Sequence, residues 1–199
     1  MKRTWFDQLA PAWDSLPGQS ETAARAETFL QRVVPPGCAR LLDAGSGTGV
    51  LVEPLLRLPH PPACIVEFDF SCAMLSESRR KHAALPGIRY VCADLAAPPF
   101  PASSFGCILV FSALPHVEDQ RAALSALLAL LRPGGRLAVG HLMPSHALNA
   151  MHASIGGAVA DDRLPPAADL AALCSSLGAR VLIAEENEQE YTVLVEKSV

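Results

Sequence analysis

Short apolar runs alternate along the chain with segments in which apolar residues recur every three or four positions. The runs predict β-strands at 40–44, 63–68, 87–93, 105–111, 136–142, 180–184 and 190–196. The other segments predict helices at about 20–33, 49–58, 71–84, 119–131, 147–155 and 165–177. Strand 105–111 is almost wholly apolar, which is typical of a central strand covered on both faces. The last two strands are separated only by the short turn 185–189, so we expect them to be antiparallel.

This order predicts an α/β fold, a Rossmann-like doubly wound seven-stranded sheet that is mostly parallel with an antiparallel last strand. We expect a single domain over 1–199, with 1–34 as an N-terminal helical lid or cap and 143–165 as a substrate-side insertion. Pro54 lies inside the predicted helix 49–58, so that helix should kink or begin late. Ordinary packing at the domain edge is the alternative to a lid for the first 20 residues.

Composition narrows the class of protein. The chain has 199 residues, a net charge of −4 and no long basic run, which disfavours nucleic acid as a partner. No apolar stretch is long enough to span a membrane, and the N-terminus lacks the apolar core of a signal peptide. Six cysteines occur singly, and Cys64, Cys92 and Cys107 fall in predicted buried strands, where reduced thiols are small apolar fillers. We therefore expect a cytoplasmic protein.

A glycine-rich turn follows the first strand. Asp43 ends that strand, and Gly45, Gly47 and Gly49 follow at alternate positions, with Ser46 between the first two. Glycine permits positive φ and lets a ligand lie against the backbone, and the next helix start adds free N–H groups. The pattern indicates a nucleotide-sized socket. It differs from the dinucleotide pattern GxGxxG, whose third glycine would fall at Val50, so a nicotinamide-dependent oxidoreductase is disfavoured.

A second acid follows at the end of the next strand. Asp69 comes about 20 residues after the glycine turn, where a carboxylate can accept hydrogen bonds from both ribose hydroxyls. Glu67 lies nearby, but the strand register favours Asp69. Service as a helix N-cap is the structural alternative for Asp69.

Four motifs in order resemble class I S-adenosylmethionine (SAM) dependent methyltransferases, of the type-11, quinone C-methyltransferase-like subgroup. They are Asp43-x-Gly45-x-Gly47-x-Gly49, Asp69-Phe70-Ser71 with Met74-Leu75, Cys92-Ala93-Asp94-Leu95, and the turn 131–137. The resemblance covers residues 40–142 well and the flanks weakly. Gly106 departs from the family, which usually has Asp there, and Leu114-Pro115-His116 stands where Leu-His-His is frequent.

The resemblance implies SAM as methyl donor and S-adenosylhomocysteine as product. In it, Asp43 and the glycine turn hold the methionine end, Asp69 the ribose and Asp94 the adenine, while Phe111 lines the site at the end of strand four. The implied cofactor-binding residues are Asp43, Gly45, Ser46, Gly47, Gly49, Asp69, Phe70, Asp94, Leu95 and Phe111.

Histidines cluster where the acceptor would lie, beyond the carboxyl ends of strands four and five. The candidate catalytic residues are His116, His141 and His152, of which His116 is the candidate base or hydrogen-bond donor to the substrate. The plain alternative for each is a surface or loop-capping residue. A metal held by the three imidazoles is a further hypothesis, without a nearby acid or CxxC to support it, and we predict no metal.

The sequence thus predicts a SAM-dependent methyltransferase acting on a small-molecule acceptor at an O, C or S nucleophile, without nucleic acid or a membrane span, as a monomer or homodimer. A SAM-binding regulatory or partner module without turnover is the alternative from another class. A methyltransferase with a histidine-bound metal in the acceptor site is the other.

Overall fold

The computed structural model describes residues 2–16 and 19–198. Seven strands form one sheet in the order β3-β2-β1-β4-β5-β7-β6. They are β1 Arg40–Ala44, β2 Cys64–Asp69, β3 Ile88–Cys92, β4 Phe105–Phe111, β5 Leu131–His141, β6 Ala179–Asn187 and β7 Glu190–Lys197. The first five strands are parallel, and β7 runs antiparallel to both β5 and β6. The predicted fold class, including the antiparallel last strand, is confirmed.

Helices cover both faces of this sheet. They are α1 Lys2–Leu9, α2 Gln19–Val33, α3 Val52–Leu56, α4 Cys72–His82, α5 Gln120–Leu130, α6 Ser145–Ile155 and α7 Ala167–Ser176. One buried apolar cluster joins the sheet to α2 and α3, and a larger one joins it to α5 and α7. Because helices cover both faces, a ligand can reach the sheet only at the ends of its strands. In such folds ligands bind at the carboxyl ends of the parallel strands, where the connecting loops lie.

Three boundaries differ from the sequence prediction. Helix α3 begins late, at Val52, so Pro54 falls in its first turn, where proline loses no hydrogen bond. Strand β5 begins at Leu131 rather than Arg136, because Leu131 pairs with Phe105 before the register shifts at Cys107. Strand β6 extends to Asn187, which shortens the predicted acidic turn before β7.

The prediction that Cys92 is a buried, reduced thiol is wrong. Cys92 is exposed at the end of β3 and forms a disulfide with Cys72, the first residue of α4. Asp69 and Cys92 are register partners on β2 and β3, and the short turn after Asp69 places Cys72 above Cys92. Cys38, Cys64, Cys107 and Cys174 are free thiols.

A segment that we call the N-terminal cover consists of α1 and the 3₁₀ helix Ala10–Ser15. Its buried Phe6 and Ala10 pack with Met74 of α4 and with Val159. The predicted lid, 1–34, thus contains a packed element, although Met1, Pro17 and Gly18 lie outside the described residues. Among the described helices, none is both long and apolar enough to cross a membrane.

Candidate active site

The glycine turn has the backbone that its sequence requires. Gly45, Gly47 and Gly49 have φ values of 79°, 55° and 81°, a region that other residues rarely adopt. A Cβ added at Gly45 would lie 2.3 Å from the Ala113 Cβ, whereas one at Gly47 would meet nothing within 4 Å. The turn is therefore closed on one side by protein and open at Gly47.

Asp69 ties this turn to the start of α4. Its two carboxylate oxygens accept hydrogen bonds from the backbone N–H groups of Gly47 (2.9 Å) and Ser71 (2.7 Å). Burial raises the pKa of Asp69, and these two bonds together with the charge of His116 offset only part of that rise. The helix N-cap is Ser71, whose hydroxyl accepts from the Met74 N–H, so the N-cap alternative for Asp69 is wrong.

The other implied cofactor residues lie around the same edge. Asp94 is exposed after β3 and accepts from the Ala96 N–H (2.9 Å), and Leu95 beside it is buried. Phe70 makes an edge contact with Phe6 of the cover at a centroid distance of 5.6 Å. Phe111 is buried and packs against Phe29 of α2, so its part in the cofactor site stays a prediction.

Two carboxyl groups lie buried beneath the turn. Asp43 and Glu67 are only 1% and 0% exposed, and they are register partners on β1 and β2. Burial raises the pKa of Asp43 to about 7, and the nearby Asp69 adds to the rise. Glu67 accepts a hydrogen bond from the Ser78 hydroxyl (3.3 Å), so it faces α4 below the turn while Asp69 faces the site. This geometry supports Asp69 over Glu67 as the acid at the socket.

His116 belongs to a hydrogen-bonded pair with an acid that the sequence analysis missed. Its Nδ1 lies 2.6 Å from the Asp162 carboxylate, and the ammonium group of Lys2 lies 2.5 Å from the other oxygen of that carboxylate. Burial alone would raise the pKa of Asp162, but the hydrogen bonds from His116 and Lys2 outweigh it and lower the pKa. Asp162 therefore stays ionised and holds Nδ1 of His116, which leaves Nε2 available.

The two other predicted histidines lie beside this pair. The rings of His116 and His152 are 5.1 Å apart, and His152 Nδ1 is 3.4 Å from the Asp162 carbonyl oxygen. His141 is buried, and burial followed by repulsion from His116 and His152 lowers its pKa to about 3. A histidine that resists protonation so strongly is a poor base, so His141 is better suited to a neutral hydrogen-bonding role.

The N-terminal cover makes polar contacts with both halves of this edge. Asp7 accepts from the Ser71 hydroxyl and Asp14 from the Thr48 hydroxyl, both at 2.5 Å. Lys81 of α4 also donates to Asp14 (2.7 Å), and these contacts outweigh burial and lower the pKa of Asp14. The ring of Phe6 lies 5.0 Å from that of His116. The cover therefore contacts the glycine turn, the turn after Asp69, and the His116–Asp162 pair.

Comparison with known proteins identifies the family. Residues 42–139 match the family model described as methyltransferase domain. A methyltransferase of Mycobacterium tuberculosis without assigned substrate is 35% identical over 114 residues, which are 57% of this chain and 55% of the relative. The ubiquinone/menaquinone biosynthesis C-methyltransferase of Hahella chejuensis is 38% identical over 104 residues, 51% of this chain and 42% of that protein. Residues 42–139, about half of the chain, therefore form a SAM-dependent methyltransferase domain, as the motifs of this segment predict.

The fold has close relatives among solved structures. A methyltransferase solved in complex with the Haloferax volcanii Trm112 activator superposes with a TM-score of 0.81 at 15% identity, over 98% of both chains. The chain spans about half the length of the curated relatives it matches.

The described residues contain no cluster of three histidine, cysteine or acidic side chains that could hold a metal. Neither alternative function that the sequence left open is supported by these findings.

Several residues of the site carry no signal in the sequence. Asp162 lies 46 positions from His116, in a loop after α6, and Lys2, Asp7 and Asp14 belong to a segment without a motif. The gathering of His116, His141 and His152 could be predicted because they follow or end two neighbouring parallel strands, which end at one edge of the sheet. The carboxylate that orients His116 comes from a loop whose path no pattern in the sequence specifies.

Proposed function

We propose that this protein transfers the methyl group of SAM to an O, C or S nucleophile of a small-molecule acceptor. The residues fit the cofactor: the turn after β1 is open at Gly47, where an added Cβ would meet nothing within 4 Å, and the buried Asp43 Oδ2 has no donor among the described residues. When bound, SAM supplies a methyl group on a sulfonium centre. In this assignment Asp43 and the glycine turn hold the methionine end, Asp69 the ribose, and Asp94 with Leu95 the adenine.

The observation that carries the proposal is the His116–Asp162 pair beside Asp69. Asp162 fixes the Nδ1 proton of His116, so Nε2 can accept a proton from the acceptor as the acceptor attacks the methyl group. His116 lies close enough to Asp69 that a proton taken up by its ring would offset part of the rise that burial causes in the pKa of that carboxyl. The proposed base thus lies near the acid that is assigned to the ribose. His152 would hold the acceptor in place through hydrogen bonding, and His141 would do so as a neutral group.

The acceptor side is partly aromatic. Phe6 contacts both Phe70 and His116, and this aromatic surface suits a flat or apolar acceptor. A surface cleft of about 600 Å³, lined in part by Lys2, Asp162 and Gln120, lies on the Asp162 side of the His116–Asp162 pair. The name of the Hahella chejuensis relative makes a carbon acceptor on a quinone-type ring one class to test.

Two measurements test the proposal. Calorimetry with S-adenosylhomocysteine should show one binding site per chain. Incubation with SAM and a panel of phenols, quinols, thiols and carboxylic acids should then yield S-adenosylhomocysteine with at least one acceptor. The absence of any binding would contradict the proposal, and binding without turnover on any acceptor would favour a regulatory module.

The base assignment predicts a selective loss of rate. His116→Gln should lower kcat by roughly 10²- to 10⁴-fold, because general-base catalysis is lost, while S-adenosylhomocysteine affinity stays unchanged. Asp162→Asn should lower kcat less and move the pH–rate profile, because His116 loses its orienting carboxylate. His146→Gln, at an exposed histidine of α6, is the matched control. Full activity of His116→Gln would contradict the assignment.

A further inference from the structure

The buried acids Asp43 and Glu67 pose a hydrogen-bonding problem. They are register partners on neighbouring parallel strands, so both side chains point to the same face of the sheet. Ionised carboxylates can only accept hydrogen bonds, yet Asp43 Oδ2 and Glu67 Oε1 are buried without a donor among the residues that the structure describes. The Asp43 and Glu67 side chains lie within hydrogen-bonding reach of each other, so one proton held between the two carboxyl groups would give the pair a donor.

The groups that face this pair offset its burial only in part. The Ser78 hydroxyl of α4 donates to Glu67 Oε2 at 3.3 Å and lies equally close to Nδ1 of His82. Asp69 adds negative charge, which makes a second ionisation in the pair harder. The other groups near Glu67 are the hydroxyls of Ser46 and Tyr90.

This network directly supports the glycine turn. A Cβ added at Gly49 would lie 2.2 Å from the Ser78 Oγ and 3.1 Å from Glu67 Oε2. The third glycine is therefore required by the network under the turn as well as by its backbone angle of 81°. A change in the charge of the Asp43–Glu67 pair therefore occurs directly beneath the glycine turn.

We infer that the SAM-free protein holds one proton between Asp43 and Glu67, and that binding of the cofactor's ammonium group releases this proton to solvent. Glu67 is then a positioning residue: by sharing one proton with Asp43, it keeps the pair at a single negative charge until the cofactor binds. The inference rests on the proposed function, because Asp43 must adjoin the methionine end. The proton leaves the carboxyl pair, the second carboxylate becomes charged, and the ammonium group compensates that charge.

The direction of the pH effect follows from burial. Desolvation raises the pKa of Asp43 to about 7 and also raises that of Glu67. The two groups titrate as a pair, so at pH 6.5 most molecules retain the shared proton. Affinity should therefore rise with pH below neutrality, by up to about tenfold per pH unit where one proton is released.

The experiment is calorimetric titration of the full chain with S-adenosylhomocysteine at pH 6.5, in buffers of different ionisation enthalpy. The ligand's own amino group, with an ordinary pKa of about 7.7–8.0, is almost fully protonated at that pH. The slope of observed enthalpy against buffer enthalpy should give a release approaching one proton per ligand. In Glu67→Gln the amide donates to Asp43, so the release should vanish and the affinity should lose its pH dependence. Glu77→Gln, at a partly exposed carboxyl of α4 that pairs with Arg80, should behave as the wild type.

Binding without proton release in the wild type, or equal release in Glu67→Gln, would overturn this inference and leave the proposed function intact. No binding at all would instead contradict the proposed function. If Glu67→Gln does not fold, ¹³C-carboxyl NMR of the wild type decides. An aspartate–glutamate pair should titrate near neutral pH without ligand and become fully ionised with it. Two carboxyl groups already ionised at pH 6 would overturn the inference.

Discussion

Four aspartate and glutamate residues at the edge of the sheet differ in their surroundings, and their chemistry differs accordingly. Asp69 accepts two backbone N–H groups, and Asp162 accepts from Lys2 and His116, so both oxygens of each carboxylate have a donor. Asp43 Oδ2 and Glu67 Oε1 have no donor among the described residues, which suits this pair to share a proton. The site therefore contains two acids, Asp69 and Asp162, that accept hydrogen bonds from donors, and two, Asp43 and Glu67, that share a proton.

At Asp69, removal of the carboxylate should weaken cofactor binding. We expect Asp69→Ala to cost about 1–3 kcal/mol, or roughly 5- to 150-fold in S-adenosylhomocysteine affinity, because charged hydrogen bonds are lost. Asp161→Ala, at an exposed aspartate, is the control. Calorimetry measures both, with circular dichroism to confirm folding, since Asp69 also tethers Gly47. Unchanged affinity in a folded Asp69→Ala protein would refute the ribose assignment.

The buried carboxyl pair also predicts how stability depends on pH without ligand. The pKa of Asp43 rises from 3.8 to about 7 on folding, so between these values the folded state binds more protons than the unfolded state. The free energy of unfolding should thus fall as pH rises through this window, with a contribution from the pair of about 1.4 kcal/mol per pH unit, and level off above it.

Urea unfolding at pH 5, 6, 7 and 8 measures this dependence. Glu67→Gln should lose most of it, because the glutamine amide satisfies Asp43 without a proton. If the wild type and Glu67→Gln have parallel profiles, the pair does not share a proton in the folded state.

The sequence predicted elements best where packing alone defines them. Strand β4 was predicted at its observed bounds, because residues buried on both faces leave an uninterrupted apolar run. The start of β5 was missed because Arg132-Pro133-Gly134 resembles a terminated turn, and only its pairing with β4 extends the strand to Leu131. The glycine turn and Asp69 could be predicted because each belongs to a short motif of neighbouring residues. The Cys72–Cys92 bridge could not, because it depends on how β2 and β3 align.

That bridge leads to a prediction for α4 and β3. Its 20-residue separation corresponds to about 3 kcal/mol of stabilisation in the loop-entropy model. Oxidised wild type should therefore exceed Cys92→Ala by about that amount in urea unfolding, and dithiothreitol should remove the difference. Cys64→Ala, at a free thiol, should keep the wild-type response to reductant. Wild-type stability that does not change with dithiothreitol would show that the bridge is absent in solution.

At the scale of the whole molecule, the N-terminal cover connects the two halves of the sheet edge. It contacts Thr48 and Ser71 on the side of the proposed cofactor site, and through Lys2 it contacts Asp162 on the side of the proposed acceptor site. The residues that the cover contributes to these contacts, Lys2, Asp7 and Asp14, lie outside the segment that carries the family motifs. A cofactor bound against Gly47 and Asp69 would lie beneath the cover, so we expect the cover to open before the cofactor leaves.

Both tryptophans of the chain, Trp5 and Trp13, lie in the cover, so intrinsic fluorescence reports on it directly. The double variant Asp7→Ala/Asp14→Ala removes its hydrogen bonds to Ser71, Thr48 and Lys81. Stopped-flow displacement of S-adenosylhomocysteine should then show dissociation roughly tenfold faster, equivalent to about 1.4 kcal/mol. This estimate is below the full worth of charged hydrogen bonds, because Asp14 is half-exposed and screened by water.

The control is Glu77→Ala, which removes a comparable exposed ion pair with Arg80 on α4 but does not touch the cover. A cover that only packs on the domain edge would give a different result, in which the double variant lowers the free energy of unfolding and leaves the dissociation rate unchanged. A cover that acts as a lid requires the rate to rise even where stability is unaltered. The ratio of the two effects therefore distinguishes the two roles that the sequence left open for this segment.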